Sequence, residues 1–89
     1  MKLLTLLKDL PSHTLTGSPQ VKISHLECDS RRILPGSCYI ALKGTRADGH
    51  EFIPEAIRRG ACAAVAEMPC TQEAREAGVS WVEVNDSRL

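Results

Sequence analysis

Four consecutive stretches decide the fold: C-Y-I-A-L (residues 38–42), K-G-T-R-A-D-G-H (43–50), E-F-I-P-E-A-I-R-R-G (51–60) and A-C-A-A-V-A (61–66). Cys38 to Leu42 is a short apolar run bounded by turn signals. Such a run is the mark of a strand buried on both faces, where alternation vanishes because neither face meets water. Phe52, Ile53, Ala56 and Ile57 recur at helical spacing, and Pro54 is acceptable in a first turn, where its missing N–H would have no intrahelical partner. Arg58 and Arg59 complement the negative end of the helix dipole, and Gly60 suits the position just past the helix. Ala61 to Ala66 reads as a second buried strand, and a strand–helix–strand succession predicts parallel pairing through a crossover.

Outward from that core, Thr71 is placed to cap a helix running through Ala77 and ending at Gly78, and Ser80 to Val84 reads as a strand with Trp81 on one face. Upstream, Leu34-Pro35-Gly36-Ser37 is a turn, because proline presets φ and glycine accepts φ > 0. Asp29-Ser30-Arg31-Arg32 is polar and leaves the sheet. Val21 and Ile23 alternate with Lys22 and Ser24, as in a half-buried strand ending near Cys28. Ser12 to Gln20 is rich in Ser, Thr, Gly and Pro and reads as a loop. Leu3, Leu6, Leu7 and Leu10 lie on one face of a short helix stopped by Pro11. The expectation is one α/β domain over residues 1–89, a small layered unit with a mixed, partly parallel sheet and flanking helices.

Composition narrows function by exclusion. Eleven basic side chains balance eleven acidic ones, so the formal charge of +0 supplies no electrostatic footprint for nucleic acid or an anionic membrane. Tyr39, Phe52 and Trp81 are the only aromatics, too few for a base-stacking platform. No stretch approaches the roughly 20 apolar residues of a membrane span. Met1 to Leu7 is interrupted by Lys8 and Asp9 too early for a signal-peptide core. A reduced, cytoplasmic chain is expected, in which Cys28, Cys38, Cys62 and Cys70, with no C-x-x-C pair among them, act as small hydrophobes. No metal site is expected, because His13 and His25 have no carboxylate or cysteine at ligand spacing and His50 reads as a lone histidine before a helix.

Two polar loops, each after a strand, are candidates for chemistry. In Asp29-Ser30-Arg31 a serine sits between an acid and a base, but sequence neighbours do not make a triad and no G-x-S-x-G elbow surrounds Ser30. The structural alternative has Asp29 accepting backbone N–H groups and Arg31 pairing with a carboxylate. Gly44-Thr45-Arg46-Ala47-Asp48-Gly49-His50 lies after a buried strand and before a helix, where open α/β sheets bind ligands. It is not a phosphate loop, since His50 and Glu51 follow Gly49 instead of Lys-Ser or Lys-Thr. His50 reads as a capping or packing residue or, less economically, as a general base for Ser30. The residues alone support two ligand-facing loops on a small α/β sheet.

Residues 29–67 combine D-S-R, P-G, A-L-x-G, D-G-H and G-A at a spacing that closely resembles the N-terminal domain of the cytoplasmic Mur ligases, the MurE type above MurF. The likeness extends to the leucine-rich first helix and the closing V-x-V-x-D-x-R-L. It implies a domain that binds the UDP end of UDP-N-acetylmuramoyl-L-alanyl-D-glutamate in peptidoglycan precursor synthesis. By matching position it implies that Cys28 contacts the uridine side mainly through its backbone, that Ser30 hydrogen-bonds the uridine-diphosphate moiety, and that Thr45, Arg46 and Ala47 line the same pocket through backbone groups, with the Arg46 side chain a candidate for pyrophosphate. It implies no catalytic residue and no bound cofactor within residues 1–89. ATP, Mg2+, a carbamylated lysine and the selection of the amino acid, diaminopimelate or lysine, would belong to central and C-terminal ligase domains beyond this chain. The alternatives are a MurF-type domain, or an interaction module that keeps the fold without binding nucleotide.

Overall fold

The computed structural model describes residues 1–10, 12–42 and 48–85. Along the chain run α1 (Leu3–Leu7), β1 (Thr14–Thr16), β2 (His25–Glu27), β3 (Ser37–Ile40), α2 (Ile53–Arg58), β4 (Ala63–Ala66), α3 (Gln72–Ala77) and β5 (Ser80–Glu83). Short 3-10 turns cover Ser30–Arg32 and Gly49–Phe52. The strands form one sheet in the order β1-β5-β4-β3-β2. β2, β3, β4 and β5 are parallel neighbours, and β1 is antiparallel to β5. The sheet is therefore mixed, as expected. Among the described residues no helix is long and apolar enough to cross a membrane.

Both faces of the sheet are covered, which is why the central strands show no polar alternation. One face packs Tyr39, Ala41, Ala64, Ala66 and Trp81 against Ile53 and Ala56 of α2 and Ala74 of α3. The other packs Cys38, Ala63, Val65 and Val82 against Leu3 and Leu7 of α1 and Ile23. The alanines of β4 have a reason in the register. Ala64 lies between Tyr39 on β3 and Trp81 on β5, so one small side chain separates the two largest buried ones. A larger residue there would overpack the layer under α2 and α3. Trp81 is wholly buried, and its indole N–H donates to the Met68 carbonyl at 2.9 Å.

Local signals act as anticipated in the second half of the chain. The Thr71 hydroxyl accepts the Ala74 N–H at 3.1 Å, capping α3. Gly78 closes α3 in the left-handed region at φ 76, where a side chain would be strained. Pro54 sits in the first turn of α2.

Two expectations from the first half need correction. Residues 12–20 are not all loop, because Thr14–Thr16 pairs with β5 as an edge strand. Its partners, Trp81 to Glu83, lie at the far end of the chain, so no local pattern announces it. The stretch from Val21 is likewise not one strand to Cys28. Val21 and Ile23 are extended but bond to the N-terminus, the Leu3 N–H donating to Val21 and the Ile23 N–H to Met1. Only His25–Glu27 joins the sheet. The alternation was a true burial signal, with Ile23 2% exposed, but it did not say which backbone would pair.

Candidate functional site

Because β2 to β5 are parallel, their carboxyl ends share one edge, and the two polar loops of the sequence leave β2 and β3 there. The loop after β2 is knitted by its own carboxylates. Glu27 Oε1 accepts the N–H groups of Cys28 and Asp29, each at 3.0 Å. Asp29 Oδ1 accepts the Arg31 N–H at 2.9 Å, which closes the 3-10 turn. The Arg31 guanidinium then returns to Asp29 with two further bonds of 3.0 and 2.9 Å. These bonds from Arg31 hold the Asp29 carboxyl down at about 2. The acid and base of D-S-R neutralise each other, the structural alternative raised above.

Ser30 is buried at 5% exposure, and its hydroxyl donates to Glu55 Oε1 at 2.7 Å. Glu55 comes from α2 and also meets Arg59 one turn later, at 3.5 Å. The Ser30 hydroxyl bond, helped by Arg59 and Arg58, holds the Glu55 carboxyl below its ordinary range. Glu55 is ionised at neutral pH and accepts only, which defines the direction of the Ser30 bond.

The opposite wall is built from β3 and the D-G-H residues. The Tyr39 hydroxyl donates to the Gly49 carbonyl at 2.8 Å, and the Gly49 N–H donates to the Leu42 carbonyl at 2.7 Å. Glycine is required by this close approach. A Cβ at position 49 would lie 2.7 Å from the Leu42 nitrogen and 2.8 Å from its oxygen. Burial pushes the Tyr39 phenol up to about 12, so it stays a neutral donor.

His50 is a staple. Its Nδ1 lies 2.6 Å from Asp48 Oδ1, and its Nε2 accepts the Glu67 N–H at 2.9 Å. The partners define the tautomer, with the proton on Nδ1 facing the carboxylate and the lone pair on Nε2 facing the amide. Both ring nitrogens are engaged, so the packing reading applies. A Ser30–His50 hydrolase has no base on its serine, whose proton goes to Glu55.

Between these walls lies a cleft of about 710 Å³. Cys28, Asp29, Ser30 and Arg31 line one side, and Tyr39, Leu42 and Gly49 the other. Phe52 and Glu55 stand between them at the foot of α2. Cys28 and Ser30, named from the sequence, meet in this one cleft. Thr45, Arg46 and Ala47 fall outside the described residues. Sequence reading placed Gly49 in a ligand-facing loop but missed Tyr39, Leu42, Phe52 and Glu55 as cleft residues. For Tyr39 a signal existed, since a tyrosine inside an apolar strand needs a partner for its hydroxyl. Glu55 carried none beyond the usual preference for acids in a first helical turn.

All four cysteines are free thiols. Cys38 is wholly buried, and burial pushes its thiol up to about 12, consistent with a packing role. The carboxylates near the cleft do not form a magnesium donor set, because Asp29 is bound to Arg31 and Glu55 to Ser30 and Arg59. The chain also contains no glycine-rich loop followed by Lys-Ser or Lys-Thr.

A mixed, mostly parallel sheet covered on both faces defines an α/β domain, and its polar cleft lies outside the carboxyl ends of the parallel strands, where open α/β sheets commonly bind ligands. Comparison with known proteins specifies it further. Residues 22–88 match the family model described as "Mur ligase family, catalytic domain". Among curated relatives, the UDP-N-acetylmuramoyl-L-alanyl-D-glutamate--2,6-diaminopimelate ligase of Geobacillus kaustophilus is 47% identical over 88 residues, 99% of this chain and 17% of that protein. The ligase of the same name from Alkaliphilus metalliredigens is 39% identical, also over 99% of this chain and 17% of its own length. Among solved structures, MurF from Acinetobacter baumannii superposes with a TM-score of 0.65 at 32% identity, over 74% of this chain and 14% of that one. MurF from Thermotoga maritima, solved with ADP, superposes with a TM-score of 0.60 at 33% identity, over 75% of this chain and 14% of that one. The chain belongs to the Mur ligase family, as an N-terminal domain whose curated relatives are named for the MurE activity. It spans 17% of the length of the two relatives described here.

Proposed function

We propose that this domain holds the uridine-diphosphate end of UDP-N-acetylmuramoyl-L-alanyl-D-glutamate for an ATP-dependent amino-acid ligase of cytoplasmic peptidoglycan precursor synthesis. The reading is carried by the strand-end cleft, which brings Cys28 and Ser30 together beside β3 in a chain related to ligases named for that substrate. Leu42 and Phe52 offer apolar surface to a flat ring, and Ser30 offers a polar contact at its edge. Since the Cys28 N–H is already bound to Glu27, a backbone contact from Cys28 would go through its carbonyl. Thr45, Arg46 and Ala47, in the loop after β3, complete the proposed contact set. Activation by ATP and Mg2+ and attack by the incoming amino group are assigned to the other domains of the parent ligase. Identities of 34–47% to proteins named for the MurE activity, across at least 98% of the chain, support the MurE reading.

Titration of the 15N-labelled chain with UDP, and then with the complete nucleotide substrate, tests the reading. Shifts should concentrate at Cys28, Ser30 and Phe52, and Ser30→Ala should weaken binding about fivefold or more, the usual loss for one hydrogen bond. A folded chain whose cleft resonances stay in place at millimolar UDP and at millimolar full substrate would count against it.

A further inference from the structure

Most backbone donors of the loop after β2 are already bound within the loop. The N–H groups of Cys28 and Asp29 are bound to Glu27, and that of Arg31 to the Asp29 side chain. The Arg32 N–H is bound to the Asp29 carbonyl. A loop that cradles phosphate does the opposite, leaving successive N–H groups free to converge on an anion. The wall also carries two carboxylates, Asp29 and Glu55. Asp29 is matched by Arg31, and Glu55 takes the one proton Ser30 has to give, at 2.7 Å. A hydroxyl whose proton is committed to a carboxylate has only lone pairs left for a ligand.

We propose that Glu55 is a positioning residue of the cleft: by taking the Ser30 proton it makes Ser30 Oγ a hydrogen-bond acceptor, so this hydroxyl selects a ligand N–H, such as the imide of a uracil ring, over a phosphate oxygen. The inference rests on the proposed UDP function and on the uridine-side contact that the family resemblance implies at Cys28; the role of Glu55 is what it adds. Glu55→Gln separates this role from a structural one. A glutamine amide can donate to Ser30 as well as accept from it, so the serine regains the freedom to turn its proton toward the ligand. The side chain keeps its length and its place on α2.

The experiment measures affinities of the intact chain for UDP, for N3-methyl-UDP, which lacks the imide proton, and for CDP, whose ring nitrogen at that position accepts. The native chain should prefer UDP by about tenfold over both, the scale of one hydrogen bond plus the buried acceptor left unpaired. Glu55→Gln should compress that preference to within about threefold while retaining the fold, checked by its amide spectrum. The native comparison needs no variant, and equal binding of the three nucleotides overturns the inference by itself. A preference that survives unchanged in Glu55→Gln also overturns it, because Ser30 would not be set by Glu55. A native chain that binds none of the three overturns this inference, and the UDP reading falls with it only when the complete nucleotide substrate also fails to bind. One that binds UDP without discrimination leaves that reading intact and removes only the role of Glu55.

Discussion

Gly49→Ala is the most informative single perturbation of the cleft, because its cost is steric and can be worked from distances. Gly49 is not in the left-handed region, so alanine meets no conformational penalty at this position. The added Cβ would, however, lie 2.7 Å from the Leu42 nitrogen, against an ordinary contact limit of about 3.4 Å. Both atoms in the way are backbone of the segment following β3, which cannot swing aside as a side chain can. Relief requires the residue 49 backbone to retreat by about 0.7 Å, the gap between those two distances. That stretches the 2.7 Å bond from the Gly49 N–H to Leu42 and the 2.8 Å bond from Tyr39 to the Gly49 carbonyl. Losing two partly buried bonds at about 1–2 kcal/mol each destabilises the domain by about 2–4 kcal/mol. For a domain of this size that is a drop of about 10–20 °C in Tm. Trp81 is the sole tryptophan and wholly buried, so its fluorescence reports urea unfolding directly. Gly78→Ala is the control, since nothing lies within 4 Å of its Cβ and its cost is only the left-handed φ, about 1–2 kcal/mol. A Gly49→Ala loss below about 1 kcal/mol, or a Gly78→Ala loss larger than it, would refute the steric argument.

Other expectations concern the two strand-end loops. The Asp29 carboxyl lies at about 2 in the folded chain against an ordinary 3.8, so its contribution to stability is complete above 3.8 and is lost as pH falls through about 2. Arg31→Ala should return that carboxyl toward 3.8 in a carbon-detected NMR titration, and an unmoved value would mean that Arg31 is not the cause. Alkylation by iodoacetamide should reach exposed Cys28 first and Cys38 only at the rate of unfolding, because Cys38 is buried and its thiolate is suppressed. Saturating UDP should slow the Cys28 reaction. Equal rates with and without UDP at demonstrated saturation would place the nucleotide away from this wall.

The loops also differ in how they resist change. In D-S-R, Asp29 and Arg31 are held by charge-assisted bonds to each other, which salt and acid weaken, while Ser30 is buried and bonded to Glu55. The D-G-H segment is tied by His50 to the end of β4, and by Gly49 and Tyr39 to β3. Substitutions in D-S-R should therefore alter binding more than folding, and those in D-G-H should alter both.

The sequence by itself determined the frame from β3 to β5. Doubly buried strands are continuous apolar runs, the Thr71 cap and Gly78 stop act within one helical turn, and crossover helices impose parallel order; each signal is complete within a few residues. It also located the edge where a ligand would sit, because polar loops after parallel strands must share one edge of the sheet. The tertiary structure decided what depends on partners distant along the chain. β1 is a strand only because β5 arrives beside it. Val21 and Ile23 pair with the N-terminus because Met1 to Leu3 takes their backbone. His50 is a staple because the end of β4 offers it the Glu67 N–H. Ser30 commits its proton because Glu55, 25 residues onward, meets its hydroxyl. Burial and helix capping follow from residue type at short range, whereas the direction of a hydrogen bond follows from which group waits on the other side, and only folding brings that group there.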